Sequence, residues 1–400
     1  MCCTGHSADA STPISTTLSF KDRADALLKG IHDGTIKGID SDMYLQLAQT
    51  LFGDFKANFD VPDEAFLYTV QNNLYAFSGA KSMAMYKQLR DLVTDGGRVR
   101  SFAEFKREAL QVVDNYNLTW LATERQNVIR SGIMSSEWQR NVQAASVYPY
   151  LKYRTEADNN VRPEHAALEG IVRKVSDGFW DNFYPPNGWN CRCYTEQLTE
   201  ADVTGTITTD EAVSVAAKNA KVADGFKVNP GKSGVVFSDA HDYFQSLPKG
   251  KQLKASDYGL PKAEDITGGT PVQFVSKEEF ETWFNEQLNG GETFELKPPA
   301  ALNITPKVPK ALAGKIVKQN RYAYGKELKA VIEKPDEVWS GYVEGAKFAK
   351  RWVTAYIKYY KGQLPIAVLV DAEGTVLSIQ QAYNWARVNQ WRINILLYRK

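Results

Sequence analysis

Four cysteines in 400 residues are too few to frame a chain of this length with disulfides. Two lie at the extreme N-terminus, in Met1-Cys2-Cys3-Thr4-Gly5-His6, and two form Cys191-Arg192-Cys193. A reducing cytoplasm is the expected compartment. No stretch approaches the roughly 18 unbroken apolar residues of a membrane span, so no transmembrane segment and no membrane partner are expected. The N-terminus has neither a basic n-region nor an apolar h-region, which disfavours a secretory leader. The P-loop pattern Gly-x-x-x-x-Gly-Lys-Ser/Thr is absent, which excludes a packaging ATPase at motif level. The His-x-Glu and Pro-Cys-x-x-Cys pattern of deaminase-type zinc enzymes is absent as well. Residues 301–400 contain no histidine, so catalysis by a pair of imidazoles is excluded there.

What is present is an ordinary globular composition, 43% hydrophobic and 24% charged, in a chain long enough for two to four cores of about 100–200 residues each. The net charge of +1 conceals an asymmetry. Residues 301–400 carry 17 Lys and Arg against 7 Asp and Glu, whereas residues 1–300 carry 31 against 40. A concentrated basic region is the footprint of a polyanion ligand, because each neutralised phosphate releases counterions and adds affinity. A solvated surface has the same composition, so charge alone does not decide.

The expected fold class is α+β in several domains. Residues 18–146 read as a helical N-terminal region, with apolar positions at helical spacing in Ala24-Leu27-Leu28-Ile31 and Tyr44-Leu47-Ala48-Leu51-Phe52. A further helix is expected over Ser101–Arg130, opened by the capping-box pair Ser101 and Glu104. Residues 147–245 read as a small mixed α/β core. It has a strand at Val147–Tyr153, a helix from Pro163 to Glu169 closed by Gly170, and a rigid excursion at Tyr184-Pro185-Pro186-Asn187-Gly188-Trp189-Asn190 that delivers the Cys-x-Cys loop. Residues 246–309 read as a connecting region, with a capped helix from Ser276 to Leu288 and a proline-rich spacer from Lys297 to Pro309. Residues 310–400 read as a helix-plus-antiparallel-sheet domain. Helices are expected over Lys310–Gln319, Tyr324–Glu333 and Tyr342–Lys361, a hairpin over Pro365–Ile379, and a last strand over Ile393–Tyr398.

Asp158, His165, Cys191 and Cys193 are the candidate metal ligands. Thiolates and an imidazole suit Zn²⁺, a carboxylate completes a tetrahedral set, and the proline-rich loop lowers the cost of ordering both cysteines. Other readings stay open at this point. Buried cysteines pack as small hydrophobes, and Asp158 has Arg154, Arg162 and Arg192 nearby as ion-pair partners. A Cys191–Cys193 disulfide would close a very small, strained ring. The same region carries a family resemblance. Arg154-Thr155 with Asp158, then Arg162, His165, Gly170 and Trp180, and the string Pro185-Pro186-Asn187-Gly188-Trp189-Asn190-Cys191-Arg192-Cys193 resemble the signature of phage Mu F-like minor head proteins. Phe226, Asn229-Pro230-Gly231 and His241-Asp242-Tyr243-Phe244 resemble segments that follow it. The resemblance implies a structural role in head assembly or DNA delivery, with portal and capsid proteins as partners. The protein would reside in the virion, at the head interior or portal, and in the bacterial host cytoplasm during assembly.

In the C-terminal region a helix over 342–361 would place Lys347, Arg351, Thr354, Lys358 and Lys361 on one face as a basic stripe. Arg387, Arg392, Arg399 and Lys400 follow, interleaved with Tyr383, Trp385, Trp391 and Tyr398. Arginine beside aromatics supplies both phosphate clamping and base stacking. Lys334-Pro335-Asp336-Glu337-Val338-Trp339 and the segment Trp391–Tyr398 resemble the phage-associated nuclease-like domains grouped with barnase, EndoU, colicin E5/D and RelE. That resemblance implies RNA cleavage without a metal. Lys347, Arg351, Thr354, Gln380, Arg392 and Tyr398 are the candidate catalytic residues, with no evident general base among them. Three functions follow as alternatives. One is a head protein with an appended ribonuclease; another is a purely structural head protein whose basic domain binds nucleic acid or portal without turnover. The third is a toxin effector with an immunity protein, using the head-like region for delivery.

Overall fold

The computed structural model describes the backbone of residues 17–248, 250–345 and 348–400, with side chains from residue 23 onward except 343–350. The Cys2-Cys3 pair lies outside the described residues. The architecture is α+β, and every described strand of its sheets pairs antiparallel. No described helix is long and apolar enough to cross a membrane. The chain divides into two units. The first comprises residues up to Met43, Thr50–Val61 and Ala80–Leu247; the second comprises Tyr44–Gln49, Pro62–Gly79 and Pro248–Lys400.

The first unit opens with helices α1 (Thr17–His32), α2 (Ser41–Ala57), α3 (Glu64–Asp91), α4 (Phe102–Asp114) and α5 (Trp120–Gln143), with parts of α2 and α3 assigned to the second unit. The capping box forms: Glu104 N–H donates to Ser101 Oγ at 3.3 Å, and Ser101 N–H donates to Glu104 Oε2 at 2.8 Å. The expected single helix after Ser101 is interrupted by a π-helical turn, Asn115–Thr119, before α5. Leu27, Leu28 and Ile31 of α1, the face read from the sequence, meet Phe105, Ala109 and Val112 of α4. Each of the larger side chains among them contributes about 1.5–3 kcal/mol by leaving water.

Strands β1 (Tyr150–Arg154), β2 (Val172–Lys174) and β3 (Tyr194–Leu198) form a sheet of order β2-β1-β3. Its core joins Met134 and Trp138 of α5 to Leu151, Tyr153, Trp180, Tyr184 and both central cysteines. The helix expected from Pro163 is shorter than its pattern suggested, Pro163–Ala166, and Gly170 follows with φ +81°.

In the second unit, helices α6 (Lys277–Leu288), α7 (Ala311–Lys318) and α8 (Glu327–Glu333) precede strands β4 (Glu337–Gly345), β5 (Phe348–Tyr360), β6 (Gln363–Val370) and β7 (Val376–Gln381). Helix α9 (Trp385–Trp391) and strand β8 (Ile395–Arg399) complete a five-stranded sheet of order β7-β6-β5-β4-β8. The Ser276 cap of α6 and the hairpin turn at Gly374, φ +86°, form where expected. The helix expected over Tyr342–Lys361 is replaced, in the described residues up to Tyr360, by the end of β4 and the central strand β5. The run Trp352-Val353-Thr354-Ala355-Tyr356-Ile357 is β-branched and aromatic, and five of its six residues are buried. A central strand is covered on both faces, so it shows no period-2 alternation, and the basic residues at intervals of three and four imitated a helical face.

The proline-rich stretch 297–309 is packed into the second unit and is no free spacer. Leu296 N–H donates to the Pro306 carbonyl at 2.9 Å, Gln71 Nε2 donates to the Ala301 carbonyl at 2.8 Å, and Lys307–Pro309 pairs with Thr293–Glu295. Prolines lose their own N–H but keep carbonyls, which neighbouring donors use.

Candidate metal centre and the basic C-terminal sheet

Short local geometry assembles the cysteine site. His165 sits on the turn Pro163–Ala166, and the two cysteines lie on the extended chain that becomes β3. His165 Nδ1 is 3.6 Å from Cys191 Sγ and 3.5 Å from Cys193 Sγ, and all three side chains are buried. The loop before them is pinned where the Tyr153 hydroxyl donates to Asn187 Oδ1 at 3.0 Å. At Gly188 a Cβ would stand 3.2 Å from Arg162 Nη2 and 3.3 Å from His165 Nε2, so the close approach of loop and imidazole favours glycine. Both thiols are free, which removes the disulfide alternative. A hydrogen bond from Cys193, aided by His165, draws the Cys191 thiol down to about 4. The same bond and burial push Cys193 up.

The donor set fits a tetrahedral metal. With Zn–S near 2.3 Å and Zn–N near 2.1 Å, a tetrahedral N–S edge is about 3.6 Å, the separation these atoms already have. The three donor atoms lie within 4.8 Å of one another. Asp158, expected as the fourth ligand, stands apart from them. Its carboxylate is exposed and forked by Arg192, Nη1 at 2.8 Å and Nη2 at 2.7 Å, and those bonds hold it down to about 2. The bidentate match of carboxylate and guanidinium is a better geometry for Asp158 than a lone ligand bond. Glu156, which the sequence did not single out, lines a cavity of about 20 Å³ beside His165, Cys191 and Cys193.

The five described candidate catalytic residues of the second unit are spread over β5, β7, β8 and the end of α9. Lys347 lies outside the described residues. Arg351 is exposed on β5, while Thr354, on the opposite face by strand parity, is fully buried and shares a 2.7 Å hydrogen bond with the Tyr68 hydroxyl. Gln380 is on edge strand β7 and Tyr398 on the other edge strand, β8. Four inter-strand spacings of about 4.8 Å separate those edges by about 19 Å, too far to share one scissile bond. Arg392 is 2% exposed. Its Nε and Nη2 donate to Glu337 at 2.7 Å each, and Nη2 also donates to the Pro261 carbonyl at 3.0 Å. Glu337 further accepts from Trp339 Nε1 at 2.8 Å. No local signal along the chain points to this pairing, because its members are 55 residues apart.

Residues 78–196 match the family model described as Phage Mu protein F like protein. Residues 278–399 match the one described as phage-Barnase-EndoU-ColicinE5/D-RelE like nuclease2. The chain thus joins a phage Mu F-like segment to a nuclease-like one. The "Putative capsid assembly protein F" of Escherichia phage Mu is 40% identical over 72 residues, 18% of this chain and 16% of the relative. The Mu-like prophage FluMu F protein of Haemophilus influenzae is 33% identical over 66 residues, 16% of each chain. The similarity therefore spans about a sixth of the length of these curated relatives. No solved structure matches the chain. The Mu F-like segment contains His165, Cys191 and Cys193. The nuclease-like segment starts at residue 278, in α6, ahead of the proline-rich stretch.

Proposed function

We propose that this protein is a minor head or head-morphogenesis protein of a tailed phage or prophage, acting at the portal or prohead interior, and that its C-terminal region works on RNA. The observation that carries this reading is the presence of both matched segments on one chain. A head-associated segment provides a place in the particle, with portal and capsid proteins as partners, and a basic nuclease-like sheet provides contact with nucleic acid. RNA brings its own nucleophile in the 2′-hydroxyl, so metal-free cleavage asks the protein for proton transfer and for cations against the developing phosphate charge.

We infer further that His165, Cys191 and Cys193 hold Zn²⁺ in a structural role. A bound ion would tie the Pro185–Cys193 loop to the turn at residue 165 and neutralise thiolate charge in a buried site.

A non-catalytic reading has its own support. Arg392 and Thr354 are committed to internal bonds, as residues of a packed binding module would be. The two readings separate on incubation of the purified full-length chain with single-stranded RNA in the presence of chelator. Cleavage into discrete products supports the ribonuclease, and RNA retained intact but bound supports the binding module.

A further inference from the structure

In the second unit, Arg392 stands at a cavity of about 400 Å³ that is also lined by Lys254, Ser256, Lys262, Glu264 and Asn389. Backbone bonds seat the upstream segment there. Ala255 N–H donates to the Arg392 carbonyl at 3.2 Å, Asn394 N–H donates to the Leu253 carbonyl at 2.6 Å, and Lys254 bridges to Ile393. Lysines 254 and 262 are thereby held beside α9, although both lie before residue 278, where the nuclease-like match begins.

The guanidinium at this cavity is positioned on one edge only. Nε and Nη2 are fixed by Glu337 and Pro261, while Nη1 has no partner among the described residues. A planar fork held by a carboxylate on one side keeps its remaining N–H groups aimed in a set direction. Lys254 and Lys262 have no carboxylate partner among the described residues. Three cations thus stand against two carboxylates, the exposed Glu264 and the buried Glu337 that holds Arg392, with a hydroxyl and an amide between them. That excess suits an oxyanion, and a cavity of this volume admits a nucleotide unit.

We propose that this cavity is a phosphate-binding subsite, in which Arg392 Nη1, Lys254 and Lys262 take one phosphate of a nucleic-acid strand and Ser256 and Asn389 orient it. The subsite deepens the nuclease-like reading, and the segment 254–262, outside the matched region, completes it. Arg392 is the preorganised donor and the two lysines are the adjustable ones.

The test is binding of a fluorescein-labelled single-stranded RNA hexamer to the full-length protein over a salt series, with inorganic phosphate as competitor. The double variant Lys254→Ala/Lys262→Ala is compared with Lys297→Ala/Lys318→Ala, which removes the same charge from exposed positions outside the cavity. The cavity variant is expected to weaken binding about tenfold or more and to reduce the salt slope by about one to two, since each lost phosphate contact lowers it by about one. Inorganic phosphate should then compete only with the control and the parent chain. Glu264→Gln should tighten binding. Equal losses in both double variants, or phosphate competition that persists in the cavity variant, would overturn the subsite. Selective loss of binding in a chain that cleaves no RNA would support the subsite and remove the ribonuclease.

Discussion

The His165–Cys191–Cys193 centre draws its members from 29 residues of chain, whereas Arg392, at the end of α9, and Glu337, on β4, lie 55 residues apart beside a sheet whose other buried contacts reach back to Tyr68. The first is a set of three donors facing one another. The second is a buried pair, with side chains 1% and 6% exposed, in which the carboxylate holds one edge of the guanidinium. The difference teaches where each part of the protein is vulnerable. One depends on what binds it, and the other depends on the intact chain.

The largest effect should come from breaking the second centre. Glu337→Ala leaves a buried guanidinium uncompensated and strips acceptors from Trp339 and Tyr359, so denaturant unfolding is expected to lose about 3–5 kcal/mol. A loss under about 1 kcal/mol would mean that water reaches the pair. A fragment of residues 300–400 removes still more, since the Tyr44 and Tyr258 hydroxyls donate to the Leu396 and Asn394 carbonyls within the same unit. That fragment should show no cooperative melt, while the full chain does.

The metal centre should respond in the opposite way. Metal analysis of the purified chain is expected to find zinc that His165→Ala loses. Zinc at a thousandfold excess over Kd should stabilise the parent by about 4 kcal/mol, and chelator should reverse this. If His165→Ala retains the metal, these three donors are not its site. Glu337→Ala should leave zinc content unchanged.

Smaller effects sharpen the contrast. Thr354→Val removes a hydroxyl bonded to Tyr68 and should cost about 1 kcal/mol without altering RNA binding, if Thr354 is a packing residue. Asp158 tests its separation from the metal centre. Its folded carboxyl is held down to about 2, so its contribution is present above the unfolded value of about 3.9 and is lost as pH falls toward 2. Asp158→Asn should flatten the acid limb of a pH–stability curve in that window and leave zinc binding intact. Loss of zinc would return Asp158 to the ligand set.

Features whose physics is local were legible along the chain. The caps at Ser101 and Ser276, the apolar faces of α1 and α4, the turn at Gly374 and the convergence of His165 with Cys191 and Cys193 all depend on residues close along the chain or joined by one stiff loop. Long-range packing was needed to make 348–360 a central strand, to fold the proline-rich stretch into its unit, to give Asp158 to Arg192, and to hold Arg392 on Glu337 beside Lys254 and Lys262. A strand buried on both faces has no alternation to read. A charge finds its partner through sheet order, and sheet order is set by long-range packing that spacing along the chain does not encode.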